Sequence, residues 1–162
     1  MQTFGDTGRA QQVAPSFNLF NAKGNPVKLW DYKQRNGLVL YFLNGDELEV
    51  LHRLEGEAKT YRNHKVELLV LAGLEASQLN DLVSRTGATF PVLADRGAVV
   101  REKYLDLVSP DGFAKEHMPL AVFILDLYGA ISHFQIATTP EGLPETAEIE
   151  PILEYLSYLC KP

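Results

Sequence analysis

Residues 38–72 read LVLYFLNGDELEVLHRLEGEAKTYRNHKVELLVLA, and a change of period inside this stretch decides the fold. Leu38-Val39-Leu40-Tyr41-Phe42-Leu43 is hydrophobic at every position. An unbroken run of that length predicts a central strand covered on both faces. Beyond Asn44-Gly45, Leu48, Leu51, Leu54, Ala58 and Tyr61 recur at steps of three and four, the stripe of an amphipathic helix. Gly56 weakens that helix but falls off the stripe. Val66 to Ala72 is a second buried strand. Two buried strands joined by a helix predict a parallel pair with a crossover connection.

The flanks extend the pattern. Downstream, Leu79, Leu82, Val83 and Thr86 mark a second helix closed by Gly87. Phe90-Pro91-Val92-Leu93 is a short strand, and Val99, Val100 and Tyr104 suggest a third helix. Leu107 to Met118 reads as a loop around Ser109-Pro110-Asp111-Gly112. Leu120–Leu125 and Ala130–Ile136 form a hairpin, and a last helix begins near Glu150-Pro151 with Ile152, Leu153, Leu156 and Leu159 as its stripe. Upstream, Phe17, Leu19 and Val27 to Trp30 flank a Gly24-centred turn, an N-terminal β-hairpin. The expected architecture is a three-layer α/β/α domain with a mixed central sheet. Residues 1–13 are read as a flexible leader and 14–162 as one domain.

Composition limits the function. Hydrophobic residues make up 46% of the 162 and charged residues 22%, which suits a chain that buries a core. The net charge of -6, from 21 acidic and 15 basic side chains, argues against nucleic acid as a partner. No stretch approaches the ~20 apolar residues of a bilayer-spanning helix, so no membrane partner is expected. The polar start, Met1 to Gln12, lacks the pattern of a secretory signal, and one cysteine excludes an intramolecular disulfide. A cytoplasmic location is expected.

Several phrases carry a family resemblance. Ala14-Pro15-Ser16-Phe17-Asn18-Leu19 resembles the opening Ala-Pro-x-Phe-x-Leu of the AhpC/TSA family, the peroxiredoxins and their relatives in the thioredoxin fold. Gly24-Asn25-Pro26-Val27-Lys28-Leu29-Trp30-Asp31-Tyr32 is similar to the family's Gly-x-x-Val-x-Leu-x-Asp-Tyr segment. Val39 to Phe42 looks like the strand leading to the active site, and Phe90-Pro91-Val92-Leu93-Ala94-Asp95 resembles Phe-Pro-x-x-x-Asp. Phe123-Ile124-Leu125-Asp126 with Gly129 resembles the closing hairpin. The likeness runs in family order from Ala14 onward. It implies a thioredoxin-like, peroxiredoxin-type fold and an antioxidant oxidoreductase ancestry.

The departures are chemical. The family carries Pro-x-x-x-Thr-x-x-Cys after its first central strand. An ungapped match from Val39 puts Asn44 at the proline, Leu48 at the threonine and Leu51 at the peroxidatic cysteine. The family arginine, placed relative to Asp126, falls on Leu120, and the thioredoxin Cys-x-x-Cys is absent. A thiol attacks peroxide only as the thiolate, which needs a helix N-terminus and a nearby cation to form. Apolar side chains supply neither nucleophile nor hydrogen bond. Asp46, Glu47 and Glu49 at the same helix start favour the helix dipole but would repel a thiolate.

The other candidates are weak. Cys160 is the only thiol and is expected at the end of the last helix, where the dipole raises a thiol pKa. His52, His64, His117 and His133 show no metal-ligand spacing, and His117 beside Asp111 and Glu116 reads as a solvated loop. No metal and no cofactor are expected. Glu47 with Glu49, and Glu55 with Glu57, diverge on a helix and read as a charged surface. Fold members place a cis-proline before the first hairpin strand; anchored on Asp126 that place is Leu120, and a bulge would shift it to Pro119. Asn44, Gly45, Asp46, Met118 and Pro119 would then border a vestigial cleft. The preferred expectation is a redox-inactive family member that binds a protein or small ligand, with pairing into a homodimer implied by the resemblance. The alternative is a thiol-dependent peroxide reductase using Cys160.

Overall fold

A computed structural model describes residues 5–6, 12–32, 36–108 and 117–159. At its centre is β5 (Gly37–Leu43), which pairs parallel with β6 (Val66–Ala72) and antiparallel with β8 (Leu120–Leu125). Beyond β6 lies β7 (Val92–Ala94), again parallel, and beyond β8 lies β9 (Ala130–Ala137), antiparallel. The mixed sheet is the expected one, and its alternation is strict. Val39, Tyr41 and Leu43 face one apolar cluster, whereas Leu38, Leu40 and Phe42 face the other. Period-two side chains with no polar residue are what burial on both sides demands.

The layers follow. α1 (Leu48–Asn63), α2 (Ala76–Thr86) and α4 (Thr146–Leu159) contribute Leu51, Leu54, Leu79, Leu82, Ile149 and Leu153 to one cluster. α3 (Val99–Val108) sends Val100, Tyr104 and Leu105 into the other, beside Phe17 and Leu29. There Tyr104 and Phe123 meet edge to face with ring centroids 5.2 Å apart. β3 (Asn18–Phe20) and β4 (Pro26–Lys28) form the expected hairpin as a separate two-stranded sheet. Its turn is closed by Asn21 Oδ1, which accepts the N–H groups of Lys23 and Asn25, with Gly24 at φ +81°.

Three boundaries differ from the sequence reading. Strand β7 begins at Val92 rather than Phe90, because Pro91 has no N–H to give the ladder and serves β6 through its carbonyl alone. Helix α4 begins at Thr146, so Pro151 lies inside it. The earlier start is fixed by the buried Thr146 hydroxyl, which bonds to Glu57 at 2.9 Å and lies 3.1 Å from the Tyr61 hydroxyl. In the segment read as a leader, β1 (Gly5–Asp6) and β2 (Gln12–Val13) run antiparallel along β9. No helix among the described residues is long and apolar enough to cross a membrane.

Candidate functional site

The chain leaves β5 at Leu43 and enters β8 at Leu120, so these neighbouring strands bring 44–47 and 118–120 to one end of the sheet. Leu51 and Leu120 are buried there, and Leu48 packs half-buried against the same apolar cluster. The positions that the resemblance matches to threonine, cysteine and arginine thus belong to or pack against one apolar cluster, and each carries a hydrocarbon side chain.

A cation nevertheless stands at this end. Arg101, from the first turns of α3, is 1% exposed. Its Nη2 donates to the Leu43 carbonyl at 2.6 Å, and its Nη1 donates to Asn44 Oδ1 at 2.9 Å and to the Met118 carbonyl at 3.3 Å. The guanidinium therefore ties together both halves of the expected cleft. Burial lowers the Arg101 pKa, while the carboxylates of Asp95 and Glu47 favour its charged form. Asp95, itself buried, caps α3 by accepting the N–H groups of Val100 and Arg101, both at 3.0 Å. Gly73 lies beneath this arrangement, where a Cβ would come within 3.3 Å of Arg101 Nη2 and the guanidinium would have to give by a few tenths of an ångström.

Glu47 is the second unexpected element. It is 7% exposed, and its Oε1 accepts the N–H groups of Asn44 at 3.0 Å and Gly45 at 2.9 Å. Burial is the main reason its pKa is raised, and the neighbouring Asp46 carboxyl adds to the rise. Gly45 holds φ at +112°, and a Cβ there would lie 2.5 Å from Leu74 Cδ1. On the α2 side of Gly45, a depression of about 350 Å³ is bordered by Leu74, Gln78, Asp81 and Arg85.

The sequence reading treats Glu47 as part of a solvated helix face and does not single out Arg101. One signal for the arginine is present: Arg101 stands with Tyr104 and Leu105 at helical spacing, on the buried side of α3. Glu47 carries no comparable signal. The Met118–Pro119 bond is trans, with Met118 at φ +42°, and no cis bond occurs among the described residues. The register between β8 and β9 shifts at Ile124/Leu125, but the extra residue, Ser132, is on β9; β8 carries no additional residue that would move the match from Leu120 to Pro119.

The paired glutamates diverge as expected. Glu55 accepts the N–H and hydroxyl of Thr89, whereas Glu57 serves Thr146. Among the described residues no group of three His, Cys, Asp or Glu is gathered for a metal. Cys160, and the loop bearing Asp111 and Glu116, lie outside the described residues.

Solved structures share this fold at low sequence identity. The mitochondrial 2-Cys peroxiredoxin from Plasmodium falciparum superposes with a TM-score of 0.70 at 17% identity, covering 93% of this chain and 95% of that one. Peroxidoxin BcpB from Mycobacterium tuberculosis gives 0.68 at 11% identity, covering 95% and 99%. A putative protein disulfide isomerase from Bacteroides thetaiotaomicron gives 0.70 at 17%, covering 96% and 94%. No curated protein sequence matches. The AhpC/TSA family profile matches residues 10–134, and the chain belongs to the AhpC/TSA family.

Proposed function

We propose that this AhpC/TSA protein is redox-inactive at the family site and works by binding a protein or small ligand at the end of the sheet formed by 44–47 and 118–120. The supporting observation is the fate of the polar groups there. Leu48, Leu51 and Leu120 offer no nucleophile, and the two Arg101 Nη atoms donate to Leu43, Asn44 and Met118. A guanidinium engaged in that way orders two loops, and a cation polarises a peroxide only through donors free to meet it. What the arrangement retains is a surface with exposed Asn44 and Asp46 beside an open depression. An acidic chain with one thiol suits a reducing, cytoplasmic setting, and a homodimer is the simplest assembly.

Reductant-dependent consumption of hydrogen peroxide tests the reading, comparing the native chain with Cys160→Ser at equal concentration. No turnover above buffer in either is the expected result. Turnover that disappears in the serine variant overturns it and makes Cys160 the reacting thiol.

A further inference from the structure

Asparagine followed by glycine is chemically labile, because a glycine nitrogen unhindered by a side chain can close on the carbonyl carbon of the asparagine amide. The chain carries two such pairs, Asn36-Gly37 and Asn44-Gly45. The fold treats them differently. Asn36 is half-buried, its Nδ2 donates to the Lys65 carbonyl at 3.2 Å, and Gly37 is held in the ladder between β5 and β6. Asn44 is exposed in the loop that follows β5, and Gly45 stands outside any strand.

Both reacting groups of the second pair are engaged by ionisable side chains. The Gly45 N–H, on the attacking nitrogen, donates to Glu47 Oε1 at 2.9 Å. Asn44 Oδ1, the oxygen of the amide under attack, accepts from Arg101 Nη1 at 2.9 Å. Arg101 arrives from α3, 57 positions along the chain, so this contact is made by the tertiary fold. A carboxylate on the attacking N–H is placed as a general base. A guanidinium on the carbonyl oxygen stabilises the negative charge which that oxygen acquires as the carbon turns tetrahedral. Burial raises the Glu47 pKa, and the ionised form is then a stronger base than a solvated carboxylate.

We propose that Asn44 is a self-deamidation site, with Glu47 as the base and Arg101 polarising the amide. The Gly45 nitrogen bonds to Asn44 Cγ as Glu47 takes its proton. The Cγ–Nδ2 bond then breaks, and the amide nitrogen leaves as ammonia carrying that proton. One water opens the cyclic imide and leaves aspartate or isoaspartate at position 44. In sum, an amide and a water become a carboxylic acid and ammonia, with no oxidant or reductant involved. Either product adds a negative charge beside Asp46 and opposite Arg101, and isoaspartate also lengthens the backbone of the turn. The inference goes beyond the binding reading and does not depend on it.

Peptide mapping by mass spectrometry, with isoaspartate separated chromatographically, follows both Asn-Gly pairs during incubation at neutral pH. The samples are the native chain, the same chain unfolded in urea, and Glu47→Gln. Asn44 is expected to react about tenfold or more faster in the folded chain than in the unfolded one. Asn36 is expected to react more slowly when folded. Glutamine still offers the Gly45 N–H an oxygen but takes no proton, so Glu47→Gln should lose the acceleration at Asn44 and leave Asn36 unchanged. An Asn44 that reacts no faster folded than unfolded overturns the proposal, as does an unchanged Asn44 rate in folded Glu47→Gln. Where the glutamine variant does not fold, the native chain decides alone. The ratio of folded to unfolded Asn44 rates then has to climb with pH as the Glu47 carboxylate forms, and a constant ratio overturns the assignment. Peroxide turnover judges the binding reading, and the mass of the peptide holding Asn44 judges this one.

Discussion

Arg101 Nη2 meets the carbonyl oxygen of Leu43 at 2.6 Å, the shortest of the three bonds by which α3 grips the ends of β5 and β8. The Leu43 carbonyl also accepts the Gly73 N–H at 2.9 Å, so one oxygen joins three segments. The site end of the sheet is therefore built around a buried charge whose removal takes a donor from Asn44 Oδ1 and the Met118 carbonyl, while Leu43 keeps the Gly73 N–H.

Arg101→Leu is expected to destabilise the protein by about 3–5 kcal/mol, the usual cost of removing one partner from a buried charge cluster. Asp95 and Glu47 lose their counter-charge, and Met118 loses its donor. Arg101→Lys recovers only part of the loss, because one ammonium does not reproduce the guanidinium fork. Urea denaturation at pH 7 checks both.

Glu47→Gln separates the hydrogen bonds of Glu47 from its charge, since the amide oxygen still accepts from Asn44 and Gly45. Burial raises the Glu47 pKa in the folded state. The protonated acid is thus favoured by folding, and its stabilising contribution is complete below the unfolded value of about 4.3. That contribution is lost as pH rises through the raised folded value. Glutamine does not titrate, so the Tm of Glu47→Gln relative to the native chain should climb from pH 4 to pH 7. A difference that falls or stays flat contradicts the assignment.

Two glycine substitutions should have opposite signs. Gly45→Ala places a methyl 2.5 Å from Leu74 Cδ1 at φ +112° and is expected to cost about 1–3 kcal/mol. Gly56→Ala meets nothing within 4 Å inside α1 and should stabilise by about 0.5–1 kcal/mol. Thermal unfolding of the pair checks both directions.

The buried tyrosines of the α1 side should also diverge. The Tyr61 hydroxyl pairs with Thr146, and Tyr61→Phe is expected to cost about 1 kcal/mol. The Tyr41 hydroxyl is buried with no hydrogen-bond partner among the described residues, although Tyr61 and Arg53 lie beside it. Tyr41→Phe should therefore leave the Tm unchanged or raise it. Calorimetry of the two variants separates the cases.

How far the sequence speaks depends on how local the controlling physics is. β5, α1 and β6 are legible because burial on two faces, then on one stripe, then on two faces again writes three different periods into residues 38–72. The start of α4 is less legible. Pro151 is an audible signal, but the deciding contact is Thr146 with Tyr61 and Glu57, on a helix far away in sequence. At the candidate site, family likeness locates the region, with Leu51 and Leu120 in one apolar cluster and Leu48 packed against it. Its polar content is hidden, because Arg101 and Leu43 are 58 positions apart and charged residues are read by default as surface. Glu47 is buried by a bend of three residues that no periodicity announces.

The three-way grip of Arg101 also bears on the order of assembly. Leu43, Arg101 and Met118 are far apart along the chain, and no local segment contains two of the three. Closing such separations costs chain entropy before any bond forms, so these contacts belong late in folding. A nascent polypeptide that has completed β5, α1 and β6 already holds a parallel pair with its crossover, yet lacks both α3 and the approach to β8. This end of the sheet thus comes into being only with the finished sheet, and the Asn44 and Gly45 amides serve as reporters that the last strands have arrived.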